Sequence, residues 1–426
     1  MKDDLDYNIN ETDEPILNEK EALKRKKITI ILSSIIGILT IIIIVGIILY
    51  FTGKKDDKNK EKEKEISPEY MLYANIKTAE NKLIRNSFIK GRENYNKELE
   101  DIIGEKDYEE TDRDNYDICI PETVTENKNN YRPILLMIHG GGWIGGEKAD
   151  ALQFCKSFGA RGFIAATMSY TLLDGRYKEY NIFRIIDEIT AVLKNMKQFL
   201  KQKGFDENKL ELVIAGSSAG SHLSLLYSYM IKNPPIPIKF IFDYVGPVTL
   251  ETEYMLTLKQ GYEPLLNIEP EDIDEAMKEN KLIHMNGSET GSGMDNIVLM
   301  NYMNAWLGKT LNDSFNELFY VKGKKILNKE NKIYKERMNK VKYGFPINYV
   351  TKESIPTLCV YGGNDEYNGV AQYAQLKKAF QEKNNEKNIT LCYFRYGKHE
   401  SFENGTKEEV ENFSKTFNEY MKNYLD

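Results

Sequence analysis

The sequence predicts an α/β protein, with a mostly parallel sheet covered by helices on both faces. From Tyr116 to the end of the chain, short apolar runs suited to buried strands alternate with segments of helical periodicity. The run Pro133-Ile-Leu-Leu-Met-Ile138 is apolar throughout, as expected for a parallel strand covered on both sides. Between residues 182 and 200, apolar side chains recur at three- and four-residue spacing, which indicates one buried helix face.

The remaining elements follow in the same rhythm. We expect strands at residues 116–120, 133–138, 163–169, 210–215, 239–245, 355–361 and 389–394. Helices are expected at residues 182–200, 219–230 and 370–380. A last helix should begin at Thr406-Lys-Glu-Glu409. This sequence has the form of a capping box, in which the Thr406 and Glu409 side chains each accept a hydrogen bond from the other residue's backbone N–H. Residues 67–113 are polar with scattered Tyr, Leu and Ile, and predict a few helices on the outside of the domain.

Residues 250–345 break the alternation of strands and helices. This stretch of about 95 residues is rich in Tyr, Met, Asn and Lys, and an unstructured loop of that length is uncommon in a compact domain. We therefore expect a folded, largely helical insertion, placed where it can cover a site as a cap.

A membrane-spanning helix is predicted at residues 28–51. This run of about 24 residues contains no charge, and about 20 apolar residues suffice to cross the hydrocarbon core of a bilayer. A buried core helix rarely stays apolar on every face for this length, and no Ala-x-Ala cleavage site follows. The predicted organisation is a polar tail at 1–27, the anchor at 28–51, a charged linker at 52–66 and one large domain at 67–426.

The basic residues around this segment favour an internal amino terminus. Lys24-Arg-Lys-Lys27 directly precedes the apolar run, and positive charge concentrates on the cytoplasmic side of membrane segments. Six further lysines between Lys54 and Lys64 follow the run and oppose this orientation, but they are more widely spread. We expect a single-pass protein of the cell membrane whose large domain lies outside the cytoplasm.

Composition excludes some classes of function. A formal net charge of −7 gives no basis for nucleic-acid binding, and nothing in the sequence fixes an oligomeric state. The four cysteines, Cys119, Cys155, Cys359 and Cys392, show neither Cys-x-x-Cys spacing nor the density of a disulfide scaffold. We expect buried free thiols, with a disulfide left open if the compartment is oxidising.

One short motif has the form of a nucleophile turn. Gly216-Ser-Ser-Ala-Gly220 follows a strand-like run and precedes a helix-like run, with Ser218 at its centre. Small residues at Gly216 and Gly220 allow a sharp strand-to-helix turn that presents the serine hydroxyl. A serine needs a neighbouring base to act as a nucleophile at neutral pH.

The base is assigned by elimination among the four histidines. His139 precedes the serine turn, His222 lies on the helix that begins there, and His284 lies in the insertion. His399 follows the last predicted strand and is the candidate base. Asp365 directly follows an apolar strand and is the candidate acid that orients the imidazole, with the adjacent Glu366 as the alternative.

A glycine run supplies candidate donors for an oxyanion. His139-Gly-Gly-Gly-Trp143 follows a predicted strand, and its backbone N–H groups carry no Cβ that blocks approach. The N–H of Ala219, directly after Ser218, would be the second kind of donor. A phosphate loop is excluded because no Gly-Lys-Ser or Gly-Lys-Thr closes the run.

Taken together, these motifs resemble the hormone-sensitive-lipase and carboxylesterase branch of the α/β-hydrolases, and are most similar to its feruloyl-esterase-like and acetyl-esterase-like subgroup. The resemblance covers residues 116–426 apart from the insertion. It is carried by six motifs: His139-Gly-Gly-Gly-Trp143, Met168-Ser-Tyr170, Gly216-Ser-Ser-Ala-Gly-Ser-His222, Pro356-Thr-Leu, Gly362-x-x-Asp365 and Gly397-Lys-His399.

The resemblance implies a role for each matching residue. Ser218 would be the nucleophile, Asp365 the acid and His399 the base. Gly141, Gly142 and Ala219 would form the oxyanion hole, supported by four residues of the same motifs: His139, Gly140, Gly216 and Gly220. It implies hydrolysis of a small carboxylic ester through an acyl-enzyme, with no metal or organic cofactor.

The chain departs from the family pattern at two places that bear on its substrate. Residue 217 is Ser where many relatives carry Asp or Glu, and the insertion is longer and more polar than usual. A serine peptidase or amidase would use the same triad, so this alternative stays open. A catalytically inactive binding module of the same fold is the second alternative. Trp143 and the aromatic residues of the insertion either shape an acyl pocket or pack in the core.

Overall fold

We describe the protein from a computed structural model, over the residues whose placement it defines. These are residues 71–77, 111–126, 128, 132–159, 162–173, 180–250, 256–258, 282–284, 306, 332–365, 367–399 and 405–425. The predicted tail at 1–27, anchor at 28–51 and linker at 52–66 lie outside them. Within the described residues, no helix has the length and apolar character needed to cross a membrane.

The described part of the chain is built around one mostly parallel β-sheet with helices on both faces, as the sequence predicts. It contains eight strands in the order β1-β2-β4-β3-β5-β6-β9-β10. All pairs from β4 to β10 in this order are parallel, while β1 and β2 add antiparallel strands at one edge. The strands are β1 (Met71–Lys77), β2 (Asn115–Pro121), β3 (Arg132–Ile138), β4 (Phe163–Met168), β5 (Leu212–Ser217), β6 (Ile238–Tyr244), β9 (Thr357–Gly362) and β10 (Ile389–Phe394).

Helices cover both faces because successive strand side chains point to opposite sides. In β3, Ile134, Leu136 and Ile138 join one apolar cluster, whereas Leu135 and Met137 join the other. The helices are α1 (Glu122–Glu126), α2 (Leu152–Gly159), α3 (Ile182–Gln202), α4 (Ala219–Met230), α5 (Lys332–Val341), α6 (Ala371–Glu382) and α7 (Lys407–Leu425). The first cluster is covered mainly by α3, α4 and α6, and the second by α2 and α7.

The capping box predicted for the last helix is confirmed. The backbone N–H of Thr406 donates to a Glu409 carboxylate oxygen at 2.7 Å, and the N–H of Glu409 donates to Thr406 Oγ1 at 3.2 Å. Two of the N–H groups that a helix start leaves without a helical partner are satisfied in this way. Helix α7 begins at the next residue, Lys407.

One expectation about secondary structure was wrong in part, and another left out two short strands. Residues 67–113 were expected to form helices, but Met71–Lys77 is a strand that pairs antiparallel with β2. The insertion at 250–345 was expected to be largely helical. Its described residues include α5 and also two short strands, β7 (Leu256–Leu258) and β8 (Leu282–His284), paired with each other. In both places a strand forms through a partner distant in sequence, which a local pattern does not reveal.

The four cysteines are buried free thiols in this structure. Cys119 lies on β2, Cys155 on α2, Cys359 on β9 and Cys392 on β10. The expectation of small buried side chains is therefore confirmed.

Candidate active site

The residues proposed for catalysis follow strands that end at the same edge of the sheet. Ser218 follows β5, Asp365 lies three residues beyond β9, and His399 lies five residues beyond β10. The glycine run beginning at His139 follows β3, the neighbour of β5. Because these strands are parallel, their carboxyl ends lie together, where the ligand sites of such sheets occur.

Ser218 occupies a strained turn between β5 and α4. Its backbone has φ 51° and ψ −119°, a conformation that non-glycine residues rarely adopt and that costs about 1–3 kcal/mol. Its N–H donates to the Tyr244 carbonyl at 2.9 Å, which fixes the turn against the end of β6. Ser218 is partly exposed.

Glycine is required on both sides of this turn. A Cβ added at Gly216 would lie 2.3 Å from the carbonyl carbon of Gly220, and one at Gly220 would lie 2.1 Å from the carbonyl oxygen of Ile138. Both contacts are with backbone, which has no rotamer to relieve them. The first turn of α4 therefore packs directly on the end of β3 and projects the serine from the sheet edge, as a nucleophile elbow does.

Asp365 and His399 form a buried pair. His399 Nδ1 lies 3.0 Å from each Asp365 carboxylate oxygen. Asp365 is fully buried, and His399 is 8% exposed. The N–H groups of Tyr367 and Asn368 also donate to Asp365 Oδ1, at 2.8 and 2.9 Å. Three donors thus converge on one carboxylate, so Asp365 is the acid that the structure brings to His399, while Glu366 lies outside the described residues.

The loops that carry this pair are joined backbone to backbone. Asn364 N–H donates to the Gly397 carbonyl at 2.8 Å, and Gly363 N–H donates to the Phe394 carbonyl at 2.9 Å. A Cβ on Gly362 would lie 2.3 Å from that same Gly397 oxygen. The close approach holds the acid and the histidine in register across β9 and β10.

The glycine run bends back on itself beside the elbow. Gly141, Gly142 and Trp143 have φ values of 106°, 59° and 63°, so three consecutive residues take positive φ. A Cβ on Gly140 would lie 3.4 Å from Ser218 Cβ, which places the run next to the serine. Gly141 and Gly142 are partly exposed at this edge. Ala219, the first residue of α4, follows Ser218 directly.

Arg113 holds this loop from behind, a role that sequence reasoning missed. Its Nη2 donates to the Gly146 carbonyl at one end of the loop and lies 3.4 Å from His139 Nε2 at the other. Its Nε donates to the Tyr170 carbonyl. Tyr170 stacks on the His139 ring, with centroids 4.1 Å apart, and donates its hydroxyl to the His139 and Gly140 carbonyls. Arg113 precedes the expected strand by a few residues and belongs to no motif, so no signal in the sequence marks it.

Trp143 packs in the core and does not line an open pocket. Its ring is 2% exposed, and its Nε1 donates to His222 Nδ1 at 3.1 Å. His222 donates from Nε2 to the Gly344 carbonyl at 2.8 Å and stacks on Trp306, a residue of the insertion, with centroids 4.6 Å apart. Of the two roles considered for Trp143, core packing is the one observed. The insertion therefore contributes Trp306 to the packing behind the glycine run.

The other described histidine side chains are unsuited to act as the base. His139 and His222 are fully buried, and burial lowers the pKa of each to about 3. Both rings are engaged in structural contacts, as described above. His284 lies on β8, within the insertion. His399 is the histidine that the structure places beside a carboxylate at the sheet edge.

A second buried carboxylate, Asp243, lies behind the elbow. Its Oδ1 accepts the Ser221 hydroxyl and the Gly246 N–H, and its Oδ2 lies 2.9 Å from the Tyr361 hydroxyl. The Tyr361 hydroxyl also reaches the Gly246 carbonyl. Desolvation raises the pKa of Asp243 to about 6. Val245, two residues after Asp243, has φ 52°, and its carbonyl accepts a hydrogen bond from Asn368 Nδ2 at 2.8 Å, which links the acid loop to the end of β6.

Comparison with known protein families identifies the fold family. The BD-FAE family model matches residues 116–380, well over half of the chain. The chain belongs to the BD-FAE family. This is a hormone-sensitive-lipase-like family of α/β-hydrolases, so the predicted fold family and carboxylesterase-type class are confirmed. The match spans Ser218 and Asp365 and ends before His399.

Several solved esterases resemble this chain distantly. Esterase B from Lactobacillus Rhamnosis (HN001) is 16% identical, with 84% of this chain and 89% of that chain covered and a TM-score of 0.46. The thermophilic esterase Est2 from Thermogutta terrifontis, solved with butyrate bound, is 14% identical, with 73% and 90% covered and a TM-score of 0.43. A Pyrobaculum calidifontis esterase is 15% identical, with 73% and 81% covered and a TM-score of 0.44. No curated protein matches the chain.

Proposed function

We propose that this protein is a membrane-anchored carboxylic ester hydrolase that forms an acyl-enzyme on Ser218. The observation that carries the proposal is the convergence at one sheet edge of a positive-φ serine and a buried carboxylate–histidine pair. Membership in the BD-FAE family supports the same reaction class.

His399 acts as the general base in this proposal. Asp365 accepts a hydrogen bond from His399 Nδ1–H, which fixes the tautomer with Nε2 ready to take a proton and stabilises the imidazolium that then forms. Ser218 Oγ attacks the ester carbonyl as its proton passes to His399 Nε2. The leaving alcohol receives that proton, and water activated by the same histidine releases the acid.

The glycine run stabilises the tetrahedral intermediates. Backbone N–H groups of Gly141, Gly142 and Ala219 would point at the carbonyl oxygen as negative charge develops on it. Each such donor is typically worth about 3 kcal/mol in the transition state. Positive φ at Gly141 and Gly142 turns their peptide groups in a way that L-residues rarely allow, which explains the need for glycine there.

The first test is active-site labelling of the full chain beside a Ser218→Ala variant. We expect a fluorophosphonate probe to label the wild type, and p-nitrophenyl acetate and butyrate to be hydrolysed. Both activities should fall at least about a thousandfold in Ser218→Ala, because the nucleophile is lost. Ser224→Ala is the matched control, since Ser224 lies on the same helix and donates only to the Gly220 carbonyl of its own helix.

The possible outcomes separate the alternatives. Labelling without ester turnover would contradict the ester assignment and point to an amide or peptide substrate. Absence of labelling in a folded protein would overturn the catalytic proposal and leave a binding module. Labelling that persists in Ser218→Ala would place the nucleophile at another residue.

The membrane anchor is the second part of the proposal. Residues 28–51 form an uncharged apolar run long enough to span a bilayer, followed by the charged linker at 52–66. With Lys24-Arg-Lys-Lys27 on the cytoplasmic side, the hydrolase domain would act on substrates outside the cytoplasm.

A further inference from the structure

Two of the buried cysteines lie against each other. Cys155 Sγ on α2 is 2.9 Å from Cys119 Sγ on β2, and the two residues are 0% and 1% exposed. A disulfide bond is about 2.05 Å long, so bonding requires the sulfurs to approach by less than about 1 Å. By contrast, Cys359 and Cys392 lie on neighbouring strands but are offset in register, because Cys359 pairs with Leu391.

Their surroundings fix the pair in this position. Cys119 pairs with Ala165 across β2 and β4, and Cys155 Sγ lies 2.9 Å from the carbonyl oxygen of the same Ala165. Helix α2 therefore places Cys155 directly over the Cys119–Ala165 pair. Packing around Cys155 is supplied by the apolar side chains of Phe154 and Phe158, which belong to the same buried cluster.

We propose that Cys119 and Cys155 form a structural disulfide in the mature protein. The bond is not needed for the ester chemistry, and only its oxidant depends on the proposed placement outside the cytoplasm, where disulfides form and persist.

The reaction is a thiol–disulfide exchange with a small-molecule or protein disulfide as oxidant. The Cys119 thiolate attacks one sulfur of that disulfide and displaces its partner as a thiol. The Cys155 thiolate then attacks the mixed disulfide at Cys119 Sγ and displaces the second thiol. Two protein thiols lose two protons and two electrons, and one oxidant disulfide becomes two thiols. The nearby Cys155 side chain lowers the pKa of Cys119, which favours Cys119 as the attacking group.

Burial determines when this exchange takes place. Both sulfurs are inaccessible in the folded domain, so the oxidant reaches them during folding or local opening. Once the bond has formed, the same burial protects it from reductants, as expected for a structural disulfide.

The bond would tie down the segment that carries the glycine run. The chain between Cys119 and Cys155 contains β3, the glycine run and its end at Gly146. Closing this loop of about 37 residues reduces the freedom of the unfolded chain. The disulfide therefore fixes both ends of the segment that must hold the oxyanion donors in place.

Disulfide mapping on the full-length chain in detergent tests the proposal. The chain is reduced and unfolded, refolded in a glutathione redox buffer, alkylated in denaturant and cleaved with trypsin. Cys119 and Cys155 fall on separate peptides, 114–128 and 149–156, and Cys359 and Cys392 on two others, 353–377 and 388–395. We expect the first two peptides to be linked and the second two to be alkylated. The oxidised chain should unfold at a temperature about 5 °C higher than the reduced chain.

Variants make the result specific. Cys155→Ala should abolish the difference in melting temperature between oxidised and reduced chains, whereas Cys392→Ala should keep it. Ser218→Ala should form the same linked peptides, so the mapping stands whether or not the ester proposal holds. Alkylation of all four cysteines after refolding, or a linkage between other cysteines, would overturn the proposal. Should Cys155→Ala fail to fold, the wild-type peptide map still decides.

Discussion

At the scale of single residues, the hydrogen bonds around Asp243 favour a protonated carboxyl group. Asp243 Oδ2 and the Gly246 carbonyl are both acceptors, and the Tyr361 hydroxyl between them has only one hydrogen. A protonated Asp243 resolves this, because it donates to Tyr361 Oη while Tyr361 donates to Gly246. The pKa of Asp243, raised to about 6 by burial, agrees with a carboxyl group that keeps its proton in mildly acidic solution.

Asp243→Asn should mimic that protonated form. The amide oxygen can accept from Ser221 and Gly246, and the amide N–H can donate to Tyr361. Folded Asp243 keeps its proton up to about pH 6, whereas the unfolded chain releases it near 3.8, so the folded state binds more protons between these values. Wild-type stability should therefore fall as pH rises through this window, by on the order of 3 kcal/mol relative to Asp243→Asn.

Thermal unfolding of both proteins between pH 4 and 8 measures this difference. The melting temperature of Asp243→Asn minus that of the wild type should increase with pH and level off above pH 6. Asp206→Asn, an exposed aspartate, is the control and should show no such trend. A difference that stays constant across the range would show that Asp243 ionises alike in both states.

The sequence predicted the candidate residues whose signals are local. Ser218 lies in a five-residue motif, and Asp365 and His399 each follow a recognisable strand, so strand ends and chain order predicted the three candidates. Arg113 and Trp306 could not be found in this way. Arg113 contacts residues 26 to 57 positions away, and Trp306 stacks on His222, which precedes it by more than 80 positions. Such contacts depend on the tertiary fold and leave no periodic or spaced pattern in the chain.

At the scale of elements, the glycine run is a positive-φ loop held by an arginine. Gly141 and Gly142 adopt positive φ freely, but Trp143 does so at a cost that the contacts around the loop must offset. Arg113 donates a hydrogen bond to the Gly146 carbonyl at one end of the loop, and the Tyr170 hydroxyl donates one to the His139 carbonyl at the other. The geometry of the proposed oxyanion donors would therefore depend on a side chain that lies behind the loop.

Arg113→Lys should lower kcat for p-nitrophenyl butyrate by about tenfold to a hundredfold with little change in KM. Lysine keeps the charge but cannot reach the Gly146 carbonyl, the Tyr170 carbonyl and His139 with one planar fork. A donor displaced by about 1 Å weakens binding of the transition state more than binding of the substrate. Lys201→Met, which removes an exposed ion pair with Glu207, is the control and should leave both constants unchanged. A rise in KM at constant kcat would instead place Arg113 in substrate binding.

Elements were predicted well where burial leaves a regular pattern. All seven strands expected from the sequence are present within about two residues, because their apolar runs are covered on both faces. Strand β1 was missed, since it lies at the sheet edge and its identity depends on pairing with β2. Strands β7 and β8 were missed for the same reason, as each has three residues and is defined by the other.

At the scale of the whole molecule, the chain combines a folded hydrolase domain with an apolar run at residues 28–51. The basic cluster before that run sets the orientation we propose, and the linker at 52–66 would separate the domain from the bilayer surface. The hydrolase domain would then bind its substrate outside the cytoplasm, in the compartment that would also supply the oxidant for Cys119 and Cys155.

Protease treatment of intact spheroplasts tests this orientation. With the full-length chain in the membrane, external protease should remove the domain that carries Ser218 and leave a protected amino-terminal fragment. The chain should also remain in the membrane fraction after alkaline carbonate extraction. Deletion of residues 28–51 should release it from that fraction. Protection of the whole chain until the membrane is lysed would reverse the proposed orientation.

The position of the insertion has a consequence for how such a protein can diversify. The insertion leaves the sheet just after β6, beside the elbow, and the chain re-enters at β9, the direct neighbour of β6. Doubling the length of a connection whose ends are already fixed costs only about 0.6 kcal/mol in closure entropy. Natural selection can therefore lengthen, shorten or replace much of this stretch with small effects on folding, provided that Trp306 still covers His222 and that Met338, Val341 and Phe345 keep their places in the core. Proteins related by descent could then keep the same active-site residues while the surface around the site differs between them.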